Sequence, residues 1–278
     1  MRNICTYLCG SHESYCEDAL YADEKFAFIL DGATGITPKQ ITPEATDATW
    51  FVREFRAYLM DALYEESSIL EIMKRGVKKI ARKYLTFEGA KQQEDRPSAV
   101  VTVIRERAGN LEYYTLGDSV LIIRKKDGEV LHILDDRLVK IDNGYFEKMK
   151  KIAAETGKTI REAFFDVFPY ILENRKKMNT PEGYCALSYK TSGLDTAKTG
   201  QIPLDEIEDV LLFSDGFAEI YDLFKIYKTP KEVINAVSKD GIVPQINKLH
   251  TAQNADPDCE KFVRNKLCDD ISVIYAKI

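Results

Sequence analysis

The stretch "EKFAFILDGATG", Glu24 to Gly35, decides how this chain is read. From Phe26 to Leu30 every residue is apolar, the pattern of a strand buried on both faces, and the run stops on Asp31-Gly32. Asp-Gly is ordinarily a turn, because Gly accepts positive φ and Asp bonds its own backbone. The chain contains four such pairs and so supplies its own controls. Asp127-Gly128, in "VLIIRKKDGEVLHIL", lies between two apolar runs and reads as a hairpin turn. Asp240-Gly241 joins two polar helical stretches. Asp31-Gly32 and Asp215-Gly216, the latter in "VLLFSDGF", instead follow short apolar strands and lead away with no returning strand. Their carboxylates are expected to project from the end of a buried sheet into the cleft beyond it.

Working outward, strands are expected near residues 3–9 and 25–31, over "SAVVTVI", "LEYYTLGDSVLIIR" and "EVLHIL", at 184–190 and 209–214, and in the final "ISVIYAKI". Helices are expected from Thr42-Pro43, read as an N-cap with Pro at N1, to about Tyr64, and from the capping box Ser68–Glu71 to about Leu85. A charged helical section covers about 144–178, with a second capping box at Thr159–Glu162. Further helix opens at Thr229-Pro230 and continues over 242–265. Hairpin-linked strands with helices in pairs between them predict an α+β layered sandwich rather than a regular βαβ alternation.

At 278 residues, with Lys+Arg 39 against Asp+Glu 45, the chain can bury a substantial core and carries a net charge of −6. That balance, with no basic stripe, argues against a nucleic-acid partner and against a carboxylate-metal nuclease. No charged start followed by an apolar segment opens the sequence, and no apolar run nears the ~20 residues that span a bilayer. No membrane association and a cytoplasmic location are expected. Cys5, Cys9 and Cys16, with His12 among them, match no paired zinc pattern, and reduced thiols are expected. Ser119 and Ser214 adjoin key aspartates, but none of His12, His132 and His250 lies in a motif that would activate them.

Acidic residues recur at strand ends: Glu17-Asp18, Asp31, Asp118 in "TLGDS", Asp215, and Asp269-Asp270. Any one of them alone reads as turn chemistry. If the ends converge, two carboxylates at about 4 Å repel by roughly 4 kcal/mol at an effective dielectric near 20. Four or five then need raised pKa values or a cation. Oxygen-only ligands favour Mg2+ or Mn2+, and carboxylates shared between ions suggest a two-metal centre suited to phosphate ester hydrolysis.

The ordered set "ED" (17–18), "ILDGATG" (29–35), "PSAVVTVI…YYTLGDS" (97–119), "VLLFSDGF" (210–217) and "CDDISVIYA" (268–276) resembles the metal-dependent protein phosphatases, the type 2C serine/threonine phosphatases or PPM family. The resemblance implies a single phosphatase domain over 1–278, built as a four-layer α-β-β-α sandwich of two antiparallel sheets and flanking helix pairs. It also implies a helical flap-like insertion at about 140–180. The implied activity is hydrolysis of phosphoserine and phosphothreonine in proteins by a hydroxide bridging two metals, with two or three ions of Mg2+ or Mn2+. Residue by residue, it implies that Asp31 bridges two metals, that the Gly32 carbonyl ligates one, and that Asp215 and Asp269 complete the second. Asp118 would help hold a third ion, and Glu17 and Asp18 would orient metal-bound waters. Asp270 stands where relatives often carry Asn, so the ligand role falls to Asp269. The implied partners are a phosphoprotein substrate and a cognate serine/threonine kinase, in cytoplasmic signalling.

Two departures qualify this resemblance. Glu13 stands where many relatives carry the Arg that grips the substrate phosphate, leaving His12, Lys39 and Arg175 as candidates for that task. Ala33-Thr34-Gly35 follows Asp-Gly where some relatives carry a His proposed as general acid. These departures support an alternative: a catalytically weak or inactive relative that acts as a phosphoprotein-binding regulatory module.

Overall fold

A computed structural model describes residues 1–35, 40–93 and 95–278. One sheet runs β1 (Arg2–Cys9), β10 (Ile271–Lys277), β9 (Ile207–Phe213), β6 (Val120–Lys125), β7 (Val130–Ile133). The other runs β2 (Asp18–Ala22), β3 (Phe26–Ala33), β4 (Ser98–Arg107), β5 (Asn110–Leu116), β8 (Lys198–Pro203). All neighbouring strands are antiparallel.

Side chains on a strand alternate between faces, and here both faces of the central strands are buried. From β3, Phe26, Phe28 and Leu30 pack against Phe51 and Phe55 of α1 (Asp47–Ala62) and Ile72 and Val77 of α2 (Ile69–Tyr84). Ala27 and Ile29 point the other way and meet Leu121, Ile123, Val210, Leu212 and Ile274 of the opposite sheet. The outer face of that second sheet, with Ile122, Leu211, Phe213 and Val273, is covered by α5 (Asp215–Asp222), α6 (Pro230–Asp240) and α7 (Ile242–Asn254). The chain is therefore a four-layer α-β-β-α sandwich with two antiparallel sheets, as expected. The alternation explains why these strands read as unbroken apolar runs.

The insertion between β7 and β8 contributes α3 (Arg137–Thr156) and α4 (Ile160–Lys176), the latter opened by the capping box at Thr159. Their own small core of Tyr145, Met149, Ala163 and Val167 also takes in Val263 from the loop before β10.

Several boundaries differ from the sequence reading. Helix α1 begins at Asp47 with Thr46 as N-cap, not at Thr42. The Asp47 carboxylate instead accepts from the backbone N–H of Ile41 (3.0 Å) and Thr42 (2.7 Å), which holds the preceding segment off the helix axis. Residues 184–190 form no strand; a lone bridge joins Ala99 to Leu187. The strand after the insertion is β8, whose exposed "KTGQIP" lacks an apolar run. Helix α7 ends at Asn254, and a loop stapled by Arg264 replaces helix over the residues that follow. Strand β2, short and only partly apolar, escapes the sequence reading.

Candidate active site

The sheets bring the acidic motifs to one end of the sandwich. Asp18 opens β2 and pairs in register with Asp31 of β3, so both carboxylates issue from the same face of adjacent strands. On that face Asp31 continues the row of Ala27 and Ile29 that packs against the other sheet. Strand β3 continues through Ala33, so Asp31 stands within the strand rather than at its end. Asp118 lies in the bend between β5 and β6, and Asp215 is the first residue of α5, immediately beyond β9. Asp269 lies in the loop that feeds β10.

A cavity of about 510 Å3 is lined by Glu17, Asp31, Gly32, Asp118, Asp215 and Asp269. Asp18 is buried and not part of that lining, and its Oδ2 makes no hydrogen bond among the described residues. The glycines are fixed by close approach. A Cβ on Gly32 would sit 2.3 Å from the Glu17 carbonyl oxygen, and one on Gly216 would sit 2.2 Å from that of Asp270. The Gly32 N–H donates to that same Glu17 carbonyl at 3.0 Å, which locks the Glu17 segment to β3. The Thr34 hydroxyl donates to Glu17 Oε1 at 2.5 Å.

Asp269 and Asp270 part company. Both oxygens of Asp270 are taken by backbone N–H groups, from Ser11 at 2.6 Å and Glu17 at 2.6 Å. Burial alone would raise its pKa, but those donors hold it below the usual carboxylate range. Asp269 instead reaches the cavity and pairs with Lys266 Nζ at 2.6 Å.

The electrostatics follow from crowding. Burial pushes Asp31 well above the usual carboxylate range, and Asp215, Asp18, Asp118 and Asp269 push it further. Asp118 is raised by burial and then by Asp215 and Asp142. Burial and Asp269 carry Asp215 to about 7. Among the described residues no three acidic, histidine or cysteine side chains stand close enough, as placed, to hold one ion. The donor set nevertheless fits a hard divalent cation: it is oxygen-only, it shares one cavity, and its mutual repulsion is what a cation would relieve.

Three further charged groups enter the cavity wall. Asp142, on α3, is carried to about 7 by burial and by Asp215 and Asp269. Sequence reasoning missed it, although an acid on the apolar stripe of Leu138, Ile141, Tyr145 and Met149 was a usable signal. Lys266 was also missed; its loop has no periodicity that would mark it. Arg175 of α4 lines the cavity and is bound to Asp95 Oδ1 at 2.9 Å and to the Ala33 carbonyl at 3.2 Å. Of the other candidates for gripping phosphate, His12 is exposed and stacked on Tyr15 at 4.4 Å, away from the cavity lining. Lys39 falls outside the described residues. Glu13 is exposed and likewise absent from the lining. Among the described residues no histidine lines the cavity beside Asp118 or Asp215 to activate Ser119 or Ser214.

Comparison with known proteins bears on this arrangement. The family model described as Protein phosphatase 2C matches residues 9–256. Among solved structures, the chain is similar to the Mycobacterium tuberculosis serine/threonine phosphatase PstP/Ppp, with TM-score 0.57 and 16% identity, over 99% of this chain and 98% of that one. It is similar to the PstP catalytic domain in complex with 2 manganese ions (TM-score 0.55, 17% identity, 99% and 97% covered). It is also similar to the PPM Ser-Thr phosphatase MsPP from Mycobacterium smegmatis in complex with cacodylate (TM-score 0.55, 16% identity, 99% and 97% covered). At these identities the likeness speaks to fold. A search of curated protein sequences finds no significant match.

Proposed function

Because the chain belongs to the protein phosphatase 2C family, we propose that it removes phosphate from phosphoserine and phosphothreonine in proteins, using water activated by divalent ions. The observation that carries the reading is the gathering of Asp31, Asp118, Asp215 and Asp269 around one cavity, where Asp31 and Asp118 are raised by burial and by neighbouring carboxylates. In this reading Asp31, the Gly32 carbonyl, Asp215 and Asp269 hold two ions of Mg2+ or Mn2+, and Asp118 helps hold a third. Bound there, the ions supply Lewis acidity toward the phosphoryl oxygens and a nucleophile at neutral pH.

The remaining work belongs to the chain. Glu17, fixed by the Thr34 hydroxyl, and Asp18, whose Oδ2 is unbonded among the described residues, orient water. Thr34 is committed to Glu17, so Ala33-Thr34-Gly35 offers no group to protonate the departing alkoxide, and that proton comes from solvent. Helices α3 and α4 act as the flap of a single catalytic unit. Their Leu138, Ile141, Phe164, Phe168 and Ile171 give the cavity an apolar wall that excludes water and selects substrate. A phosphoprotein substrate entails a serine/threonine kinase as counterpart, and we place the chain in cytoplasmic signalling. No helix among the described residues is long and apolar enough to cross a membrane.

The second reading is a weak or inactive relative that binds phosphoproteins as a regulatory module. It is favoured by the absence of any three-ligand cluster at ion-binding distance among the described residues. Manganese-dependent hydrolysis of p-nitrophenyl phosphate and of a phosphothreonine peptide decides between the two. The phosphatase reading expects turnover that is lost in Asp31→Asn and Asp215→Asn. A folded protein with no turnover in Mg2+ or Mn2+ from pH 6 to 9 supports the module.

A further inference from the structure

A phosphate monoester brings close to two negative charges into a cavity lined by Glu17, Asp31, Asp118, Asp142, Asp215 and Asp269. Beside any bound ions, protein cations can help receive it, and two side chains among the described residues that line the cavity carry one: Arg175 and Lys266. Arg175 is engaged. Its Nε donates to Asp95 Oδ1 at 2.9 Å, and its Nη2 donates to the carbonyls of Ala33 at 3.2 Å and Arg96 at 3.4 Å. It serves as a strut between α4 and the segment after Asp31.

Lys266 is differently placed. Its side chain is 51% exposed, and Asp269 is its one ion-pair partner among the described residues. It lines this cavity and also an adjoining one that shares Asp118, Asp142, Asp215 and Asp269 with it. Its backbone is held from both sides. Arg264 is buried against Asp256 and donates to the carbonyls of Gln253, Asp256, Phe262 and Leu267. Asn265 Nδ2 donates to the Tyr145 hydroxyl of α3. A fixed root with a mobile four-carbon stem suits a compact ammonium with three donors to a phosphoryl oxygen.

We infer that Lys266 is the residue that binds the substrate phosphoryl group, released to it when a divalent ion neutralises Asp269. The inference rests on the phosphatase reading and names a residue for it.

The test uses the manganese-loaded wild-type chain, Lys266→Met and Lys266→Arg. Calorimetric titration with inorganic phosphate is expected to show affinity about ten- to a hundredfold weaker in Lys266→Met, the loss of one charge-assisted hydrogen bond, and largely restored in Lys266→Arg. KM for p-nitrophenyl phosphate should rise with it while kcat changes less. Manganese titration without phosphate should show equal or tighter ion binding in Lys266→Met, because a competing cation has gone. Wild-type phosphate affinity in Lys266→Met overturns the inference, as does weaker manganese binding that accounts for the whole phosphate loss. A wild-type chain that binds manganese and phosphate without turnover sinks the phosphatase reading, yet the binding arms still decide Lys266. A wild-type chain that binds no phosphate sinks both.

Discussion

Asp18 and Asp31 stand directly opposite one another as register partners on adjacent antiparallel strands. Like charges so placed repel, and Asp18 is buried while Asp31 faces a cavity crowded with other carboxylates. Without ions, Asp18→Asn and Asp31→Asn are each expected to stabilise the fold by about 1 kcal/mol, raising Tm by roughly 2–4 °C. With manganese present, Asp31→Asn should abolish hydrolysis, whereas Asp18→Asn should reduce it. Thermal melts with and without chelator check this; a lower Tm for both variants in chelator contradicts it.

Stability of the metal-free chain should fall as pH rises. Asp142 and Asp215 are carried to about 7 and Asp222 to about 6, mainly by burial, so between about pH 4 and 7 the folded state holds more protons than the unfolded one. The stabilising protons are fully present below the unfolded carboxylate pKa and are lost as pH climbs through the folded values. Asp256 and Asp270, held below the usual range, act in the opposite sense, but only below about pH 4. A higher Tm at pH 5.5 than at pH 8 in chelator is expected, and manganese should flatten the difference.

Asp142 reaches the acidic cavity from α3 rather than from the sandwich. Asp142→Asn is expected to raise the manganese concentration for half-maximal turnover about tenfold, the usual scale for groups that support ligands. The metal-free Tm should hold or rise, because a half-buried acid facing other carboxylates has been replaced by a neutral amide. An unchanged manganese requirement would reduce Asp142 to a bystander.

The Arg175–Asp95 pair ties α4 to the segment that follows Asp31, with both side chains largely buried. Arg175→Ala is expected to cost about 2 kcal/mol, the scale of a charge-assisted bond left half-made. It should also speed proteolysis within residues 137–177. Arg175→Lys recovers part of the stability but cannot reproduce the fork that reaches Asp95, Ala33 and Arg96 together.

The layered architecture was legible because β3, β6, β9 and β10 are buried on both faces and so write unbroken apolar runs, with Ser68, Thr159 and Thr229 capping helices as read. Strands β2 and β8 were not legible: one is short, the other largely exposed, and both are held by pairing with neighbours rather than by their own pattern. The site divides the same way. Asp31, Asp118, Asp215 and Asp269 adjoin strands whose signal is strong, so their convergence could be anticipated. Asp142 and Lys266 arrive from a surface helix and a loop, and only tertiary packing against the acidic cavity reveals them. Lone turn chemistry also misled: Thr42-Pro43 has the form of a helix start, but Asp47 binds the two N–H groups before Pro43 and delays the helix.

Strand β10 lies between β1 and β9, so the earliest strand of the chain finds its partner only in the segment 271–277. During synthesis on the ribosome, β1 waits unpaired while about 260 residues emerge, and Ser11 and Glu17 wait nearly as long for Asp270. The carboxylate cavity therefore closes last, and a nascent chain can fold much of the β2-β3-β4-β5-β8 sheet while its acidic side chains are still ungathered.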